Sequence, residues 1–272
     1  MRAPAPAKIN LALVVGPLRK DGKHELVTVY QRIGLADRID VEPAAERTRV
    51  DGFTGDTLVR DALELLAARA AVDMHWHAMI EKRIPAAAGL GGGSSDAATA
   101  LRLANETLDE PLPSAELHEL AAELGADVPF FLVDGPQLGS GDGTTLEALD
   151  LPQDFWIVLV RPHDAQKPST ASVYAAFDER NGTEGWDGRR SALLDALERV
   201  ARPRDLAALP ANDLASSPLA AELIALGAFR ADVTGAGPTV YGLFHHEAPA
   251  KAAKRALRRA GQTWLTAPAW YG

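Results

Sequence analysis

The sequence contains no cysteine, which excludes disulfides, thiolate metal sites and cysteine nucleophiles together. It also lacks any run of about 18 uninterrupted apolar residues, the length a membrane helix needs, so no membrane partner is expected. The opening MRAPAPAKINLALVV makes a poor signal peptide, because its apolar run is short, contains Asn10 and leads into charged residues rather than a small-residue cleavage site. A cytoplasmic location is the expectation. Nor is there a basic surplus: the formal net charge is −9, whereas gripping a nucleic-acid backbone calls for basic residues over a stripe or face. The one basic cluster, Lys251, Lys254, Arg255, Arg258 and Arg259, has helical spacing and reads as a solvated helix face. No nucleic-acid partner is expected, and an anionic ligand must be met by donors concentrated locally.

What is present suits a soluble globular protein: 47% hydrophobic and 24% charged residues over a length that accommodates two modest domains. A compositional break divides residues 1–150 from 151–272. In the first block, Ile9, Leu11, Leu13 and Val15 alternate with other residues, predicting a strand with one better-buried face. Arg38–Glu42 and Met74–Glu81 read as strands, 56–71 as an amphipathic helix, and Ser114 as the N-cap of a helix ending before Gly125. In the second block Phe155–Val160 reads as a buried strand, with helices at Arg189–Arg202 and Leu219–Leu226. Residues 181–188 read as a loop. A strand pair is expected at Phe229–Val233 and Thr239–Phe244.

The most informative stretch is IEKRIPAAAGLGGGSSDAATALRLAN. A strand-like segment leads through Pro85, Ala86, Ala87 and Ala88 into Gly89, Leu90, Gly91, Gly92 and Gly93, then Ser94 and Ser95, with a helix starting at Ser94 or Asp96. Glycine permits positive φ and leaves no Cβ between ligand and backbone. The helix start adds unpaired N–H groups and the positive end of the dipole, so the loop is an anion cradle suited to a di- or triphosphate. The serines add hydroxyl donors or a metal ligand. No Lys-Ser/Thr pair closes the loop as in a Walker A sequence, and it lacks the G-x-G-x-x-G order of a dinucleotide fold.

P-A-x-A-G-L-G-G-G-S-S-D-A-A resembles the central motif of the GHMP kinases. APAKINL at Ala5–Leu11 is similar to their first motif and VTGAGPTVYGL at Val233–Leu243 to their third. The resemblance implies an α+β two-domain GHMP kinase fold, with a ribosomal-protein-S5-like N-terminal domain and a ferredoxin-like C-terminal domain, ATP and substrate lying between them. Magnesium is expected with the ATP. DGKHEL and LGADVPFFL sharpen the likeness to the branch whose acceptor is the 2-hydroxyl of 4-(cytidine 5′-diphospho)-2-C-methyl-D-erythritol. Two other readings stay open: a GHMP kinase for mevalonate, homoserine or a sugar, and a non-catalytic nucleotide-binding relative.

An alcohol acceptor calls for a base against its proton. By its local sequence Asp127 either turns the chain or serves as that base; the resemblance gives it the base position. Lys8, by resemblance the active-site lysine, is placed to orient Asp127 and offset phosphoryl charge. The resemblance further implies that Asn10 and His24 contact substrate and that Tyr174 stacks on its cytosine. The family usually reads DGYH where this chain reads DGKH, so Lys23 stands where a second stacking aromatic is expected, either lying over the base or reaching the substrate's diphosphate. Asn212 and Asp213 resemble a family segment without an assigned role. His75 and His77 alternate on a strand with no third ligand near them, so no protein metal site is expected; Ser95 is a candidate oxygen donor to the magnesium.

Overall fold

The computed structural model describes residues 1–53, 55, 58–165 and 169–269. Its first sheet is built on two long antiparallel strands, β1 (Arg2–Leu18) and β2 (His24–Ala44). β3 (Arg49–Asp51) and β4 (His75–Glu81) extend the sheet beyond the C-terminal half of β2, while β5 (Gln137–Gly141) and β6 (Thr145–Ala148) extend it beyond the N-terminal half. Three helices, α1 (Leu58–Ala70), α2 (Gly92–Asn105) and α3 (Ser114–Leu124), bring Leu63, Leu66, Leu101 and Leu120 into one core with Trp76 and Phe130. Alanines 97, 98, 100 and 104 of α2 are buried in it, combining the best intrinsic helix former with the smallest side chain.

The second sheet is antiparallel, in the order β10 (Gly261–Thr266), β7 (Trp156–Pro162), β9 (Val240–Phe244) and β8 (Arg230–Val233). Between β7 and β8 run α4 (Thr170–Glu179), α5 (Trp186–Leu197) and α6 (Pro218–Ala225); α7 (Glu247–Ala256) follows β9. A single apolar cluster joins the two sheets: Ile9 and Leu11 of β1 and Val27 and Val29 of β2 meet Ile157 and Leu159 of β7 and Leu243 of β9.

That shared cluster explains a departure from the expectation for β1. Residues 5–16 are all buried, not one face of them, because Ile9 and Leu11 pack against the second sheet while Leu13 and Val15 pack against Val173 and Phe177 of α4 and against Leu214. Arg38–Glu42 is the latter part of the 21-residue β2, whose first half the sequence pattern did not mark. The α2 helix begins at Gly92, two residues or more earlier than expected. Ser114 is the first residue of α3 rather than its cap; Pro113 takes that place and no side chain caps the helix. Of the helix expected over 56–71, Asp56 and Thr57 lie outside the described residues and the helix runs Leu58–Ala70. The segment read as a loop at 181–188 already includes the first turn of α5.

Candidate active site

A cleft of about 540 Å³ runs along the junction of the two sheets, a size typical of small-molecule sites. Residues 85–94 line its middle, together with the turn Gly235–Gly237. The loop and the turn meet backbone to backbone. Gly89 sits at φ +79°, and a Cβ there would lie 2.6 Å from the Thr234 carbonyl oxygen. No other residue combines that angle with that clearance. Gly91, at φ +68°, is the residue before α2, and a Cβ on it would meet Phe131 at 2.9 Å and Lys8 at 3.0 Å. The first N–H groups of α2, which no helical carbonyl can accept from, therefore begin in the glycine loop itself. Ser94 faces the cleft. Ser95 does not: it is fully buried on the first turn of α2, its N–H donating to the Gly91 carbonyl at 2.9 Å.

A buried ion cluster braces the loop's entry. The Lys82 ammonium lies 2.6 Å from Asp37 and 2.8 Å from Asp96, both carboxylates fully buried. Asp37 also accepts from the backbone N–H groups of Arg83 at 2.5 Å and Ile84 at 2.8 Å. Burial by itself lowers the Lys82 ammonium, but Asp96 and Asp37 outweigh it and raise it above its ordinary value, so the ammonium keeps its charge. Lys82 and Phe53, whose ring centroid is 5.4 Å from the Lys82 nitrogen, line one end of the cleft with Leu58 and Pro85. Phe53, Leu58 and Lys82 are marked by no sequence motif, whereas Pro85 opens the glycine loop.

The strand register gathers the polar groups. Lys8 opposes Arg32 and Asn10 opposes Tyr30 across the β1–β2 pair, and directly opposed residues share one face of a sheet. Lys8 is 3% exposed; its ammonium donates to the side-chain oxygen Oδ1 of Asn10 at 2.8 Å and lies 3.4 Å from Asp127 Oδ2. Asp127, in the segment between α3 and the short 3₁₀ turn Pro129–Leu132, lines the cleft with its side chain 35% exposed. Asn10 is held on all sides, donating from Nδ2 to Thr28 at 2.7 Å and accepting from Thr234 at 3.3 Å. It reaches the cleft but serves first to fix the Lys8 ammonium.

Beyond Asp127 the lining passes to Leu13, Leu26, Leu214 and Tyr174. Burial, then the Asp127 charge, pushes the Tyr174 phenol up to about 12. Its ring stacks on His24 with centroids 5.1 Å apart and planes 25° apart. His24 is not itself part of the cleft wall. It is buried behind Tyr174, with Nδ1 donating to the Gly16 carbonyl at 2.7 Å and Nε2 3.3 Å from Asp178. Lys23 stands over neither ring, its ammonium lying on Asp142 at 2.6 Å at the cleft's rim. Asn212 and Asp213 hold the site from behind. Asn212 Nδ2 donates to the carbonyls of Val233 and Gly235, and Asp213 accepts the Val15 N–H at 2.8 Å. Among the described residues no group of three histidines or carboxylates can hold a metal. His77 instead pairs with Glu42 and Asp51 on the far side of the sheet.

A glycine-rich loop that opens a helix and lines one cleft with a lysine–aspartate pair defines a small-molecule kinase of the GHMP class, and the family models agree. Residues 57–135 match the GHMP kinases N terminal domain, and 207–263 match the GHMP kinases C terminal. Within that class the chain belongs to the 4-diphosphocytidyl-2-C-methyl-D-erythritol kinase family. It is 37% identical to the member from Geobacter sulfurreducens, with 97% of this chain and 96% of that protein covered. It is 38% identical to the one from Anaeromyxobacter dehalogenans, with 93% and 84% covered. A crystal structure of 4-(cytidine 5'-diphospho)-2C-methyl-D-erythritol kinase superposes over all of both chains with a TM-score of 0.81 at 32% identity. Mevalonate kinase from Methanococcus jannaschii shares the fold, with a TM-score of 0.76, at 14% identity over 99% of this chain and 98% of that one.

Proposed function

We propose that this protein transfers the γ-phosphoryl group of ATP to the 2-hydroxyl of 4-(cytidine 5′-diphospho)-2-C-methyl-D-erythritol, with Asp127 as the base. The observation that carries the reading is the meeting of Lys8 and Asp127, 3.4 Å apart, in the same cleft as the glycine loop. The acceptor oxygen attacks the γ-phosphorus, the bond from that phosphorus to the β–γ bridging oxygen breaks, and ADP departs with the electron pair. The acceptor's proton passes to the Asp127 carboxylate. Positioning and charge neutralisation carry most of such a transfer. Here the loop's N–H groups and the start of α2 receive the phosphates, and Lys8 offsets the charge that develops next to Asp127.

Magnesium fits as an ion held chiefly by the nucleotide's own phosphates, as that metal usually is, and it supplies charge neutralisation. The Ser94 hydroxyl lines the cleft and would be the protein's oxygen donor to the ion, in place of the Ser95 hydroxyl expected from the sequence. Adenine is assigned to the recess of Phe53, Leu58, Lys82 and Pro85. Cytosine is assigned to the exposed face of Tyr174, with His24 acting from behind it by holding the ring, and with Lys23 held on Asp142 rather than over the base.

The test is ADP release with ATP and magnesium against the cytidylyl substrate, mevalonate, homoserine and galactose. Turnover is expected with the cytidylyl substrate alone, and loss of the base in Asp127→Asn should lower kcat by roughly 10²–10⁴-fold. Phosphorylation of another acceptor overturns the substrate assignment, and an undiminished Asp127→Asn overturns the base.

A further inference from the structure

Tyr30 is a side chain that no motif of the sequence singles out, yet it touches both members of the lysine–aspartate pair. Its hydroxyl donates to Asp127 Oδ1 at 3.1 Å, while the Lys8 ammonium approaches the other carboxylate oxygen at 3.4 Å and lies 5.6 Å from the Tyr30 ring centroid. The ring is 3% exposed and has a fitted slot. Phe130 stacks against it with centroids 4.9 Å apart. Gly139, on the neighbouring strand β5, leaves room that a Cβ would take away, at 2.6 Å from the ring. Gly143 does the same for the hydroxyl, at 2.8 Å. Two glycines from one hairpin thus make space for one phenol aimed at one carboxylate.

We propose that Tyr30 is a positioning residue for the phosphoryl transfer, fixing one oxygen of Asp127 while Lys8 fixes the other, so that the carboxylate presents a single free edge to the acceptor hydroxyl. This rests on Asp127 being the base. An ionised carboxylate has about four lone-pair sites; the two clamps engage one on each oxygen and leave the rest toward the cleft. The phenol acts as a donor only. Burial, then the charge of Asp127, pushes it well above its ordinary value of 10. The other charged and titratable groups around the pair are Lys8 from β1, Tyr174 from α4 and Asp142 from the β5–β6 turn.

The test compares Tyr30→Phe with wild type and Asp127→Asn by the single-turnover rate of ADP formation at neutral pH and by the KM for ATP. The substitution removes one oxygen and keeps the ring in its slot. A hydrogen bond to a charged acceptor predicts a rate lower by about tenfold at neutral pH. The KM for ATP should stay within about twofold of wild type, so that the loss falls on the chemical step. If Asp127→Asn is inactive and Tyr30→Phe keeps the wild-type rate, Tyr30 only packs and the proposal falls alone. A slower rate with a raised KM for ATP also overturns it, because a distorted loop then explains the loss. An active Asp127→Asn removes the base assignment and this proposal with it.

Discussion

Lys23 and Asp142 form an ion pair at the mouth of the cleft, 2.6 Å apart, with side chains 54% and 14% exposed. Burial raises the Asp142 carboxyl, but hydrogen bonds from Lys23 and Thr144 outweigh it and hold it at about 2, against an ordinary 3.8. A carboxyl held lower in the folded chain than in the unfolded one stabilises the fold above the unfolded value, and that contribution fades as pH falls from 3.8 toward 2. With its lysine largely in solvent the pair is worth about 1 kcal/mol at most. Urea melts should therefore place Asp142→Asn about 1 kcal/mol below wild type at pH 7, with the gap closing below pH 4. A gap of the same size at pH 3 assigns the loss to packing instead. This partnership was not legible in the sequence, because 119 positions separate the two residues and only the β5–β6 turn brings them together. Tyr30 escaped notice for a related reason: a tyrosine inside the run Leu26–Ile33 reads as core, and half of it is core.

At the scale of elements, the strand–loop–helix unit β4–α2 does its work through backbone fit. The glycine loop was legible because its chemistry is local: every residue that shapes the cradle is within a dozen positions of the next. What fastens it is not local. Asp37 on β2 takes both backbone N–H groups that lead into the loop, and the turn at 234–237 comes from the other end of the chain. Gly89→Ala tests that contact. A Cβ 2.6 Å from a backbone oxygen, at a φ of +79°, calls for the loop or the turn to move. The expected outcome is a loss of about 2 kcal/mol in thermal unfolding and an ATP KM raised by about tenfold or more. Alanine tolerated with both values unchanged shows that loop and turn do not depend on their contact.

For the molecule as a whole, the strands of the first sheet end at Ala148 and those of the second begin at Trp156, but the apolar cluster they share crosses that line. So do polar ties: the Tyr241 hydroxyl donates to the Leu11 carbonyl at 3.1 Å, and Asp213 binds β1 through the Leu13 carbonyl and the Val15 N–H. Alternating apolar residues in β1 announced a strand, and nothing in their period announced a second sheet against it. Calorimetry and tryptophan fluorescence are expected to give one coincident transition, with Trp76 reporting from the first sheet and Trp156 and Trp264 from the second. Tyr241→Phe should lower it by about 1 kcal/mol without splitting it. Two separated transitions contradict a shared core.

The same cluster bears on how this protein is inherited. A crossover between two diverged relatives in the segment joining the sheets exchanges one wall of that core and keeps the other. Methyl groups on β1 and β2 then meet partners on β7 and β9 selected in another lineage, at packing densities that register a single methylene. The junction that looks most open to recombination in the linear sequence is the place where ancestry has to match on both sides.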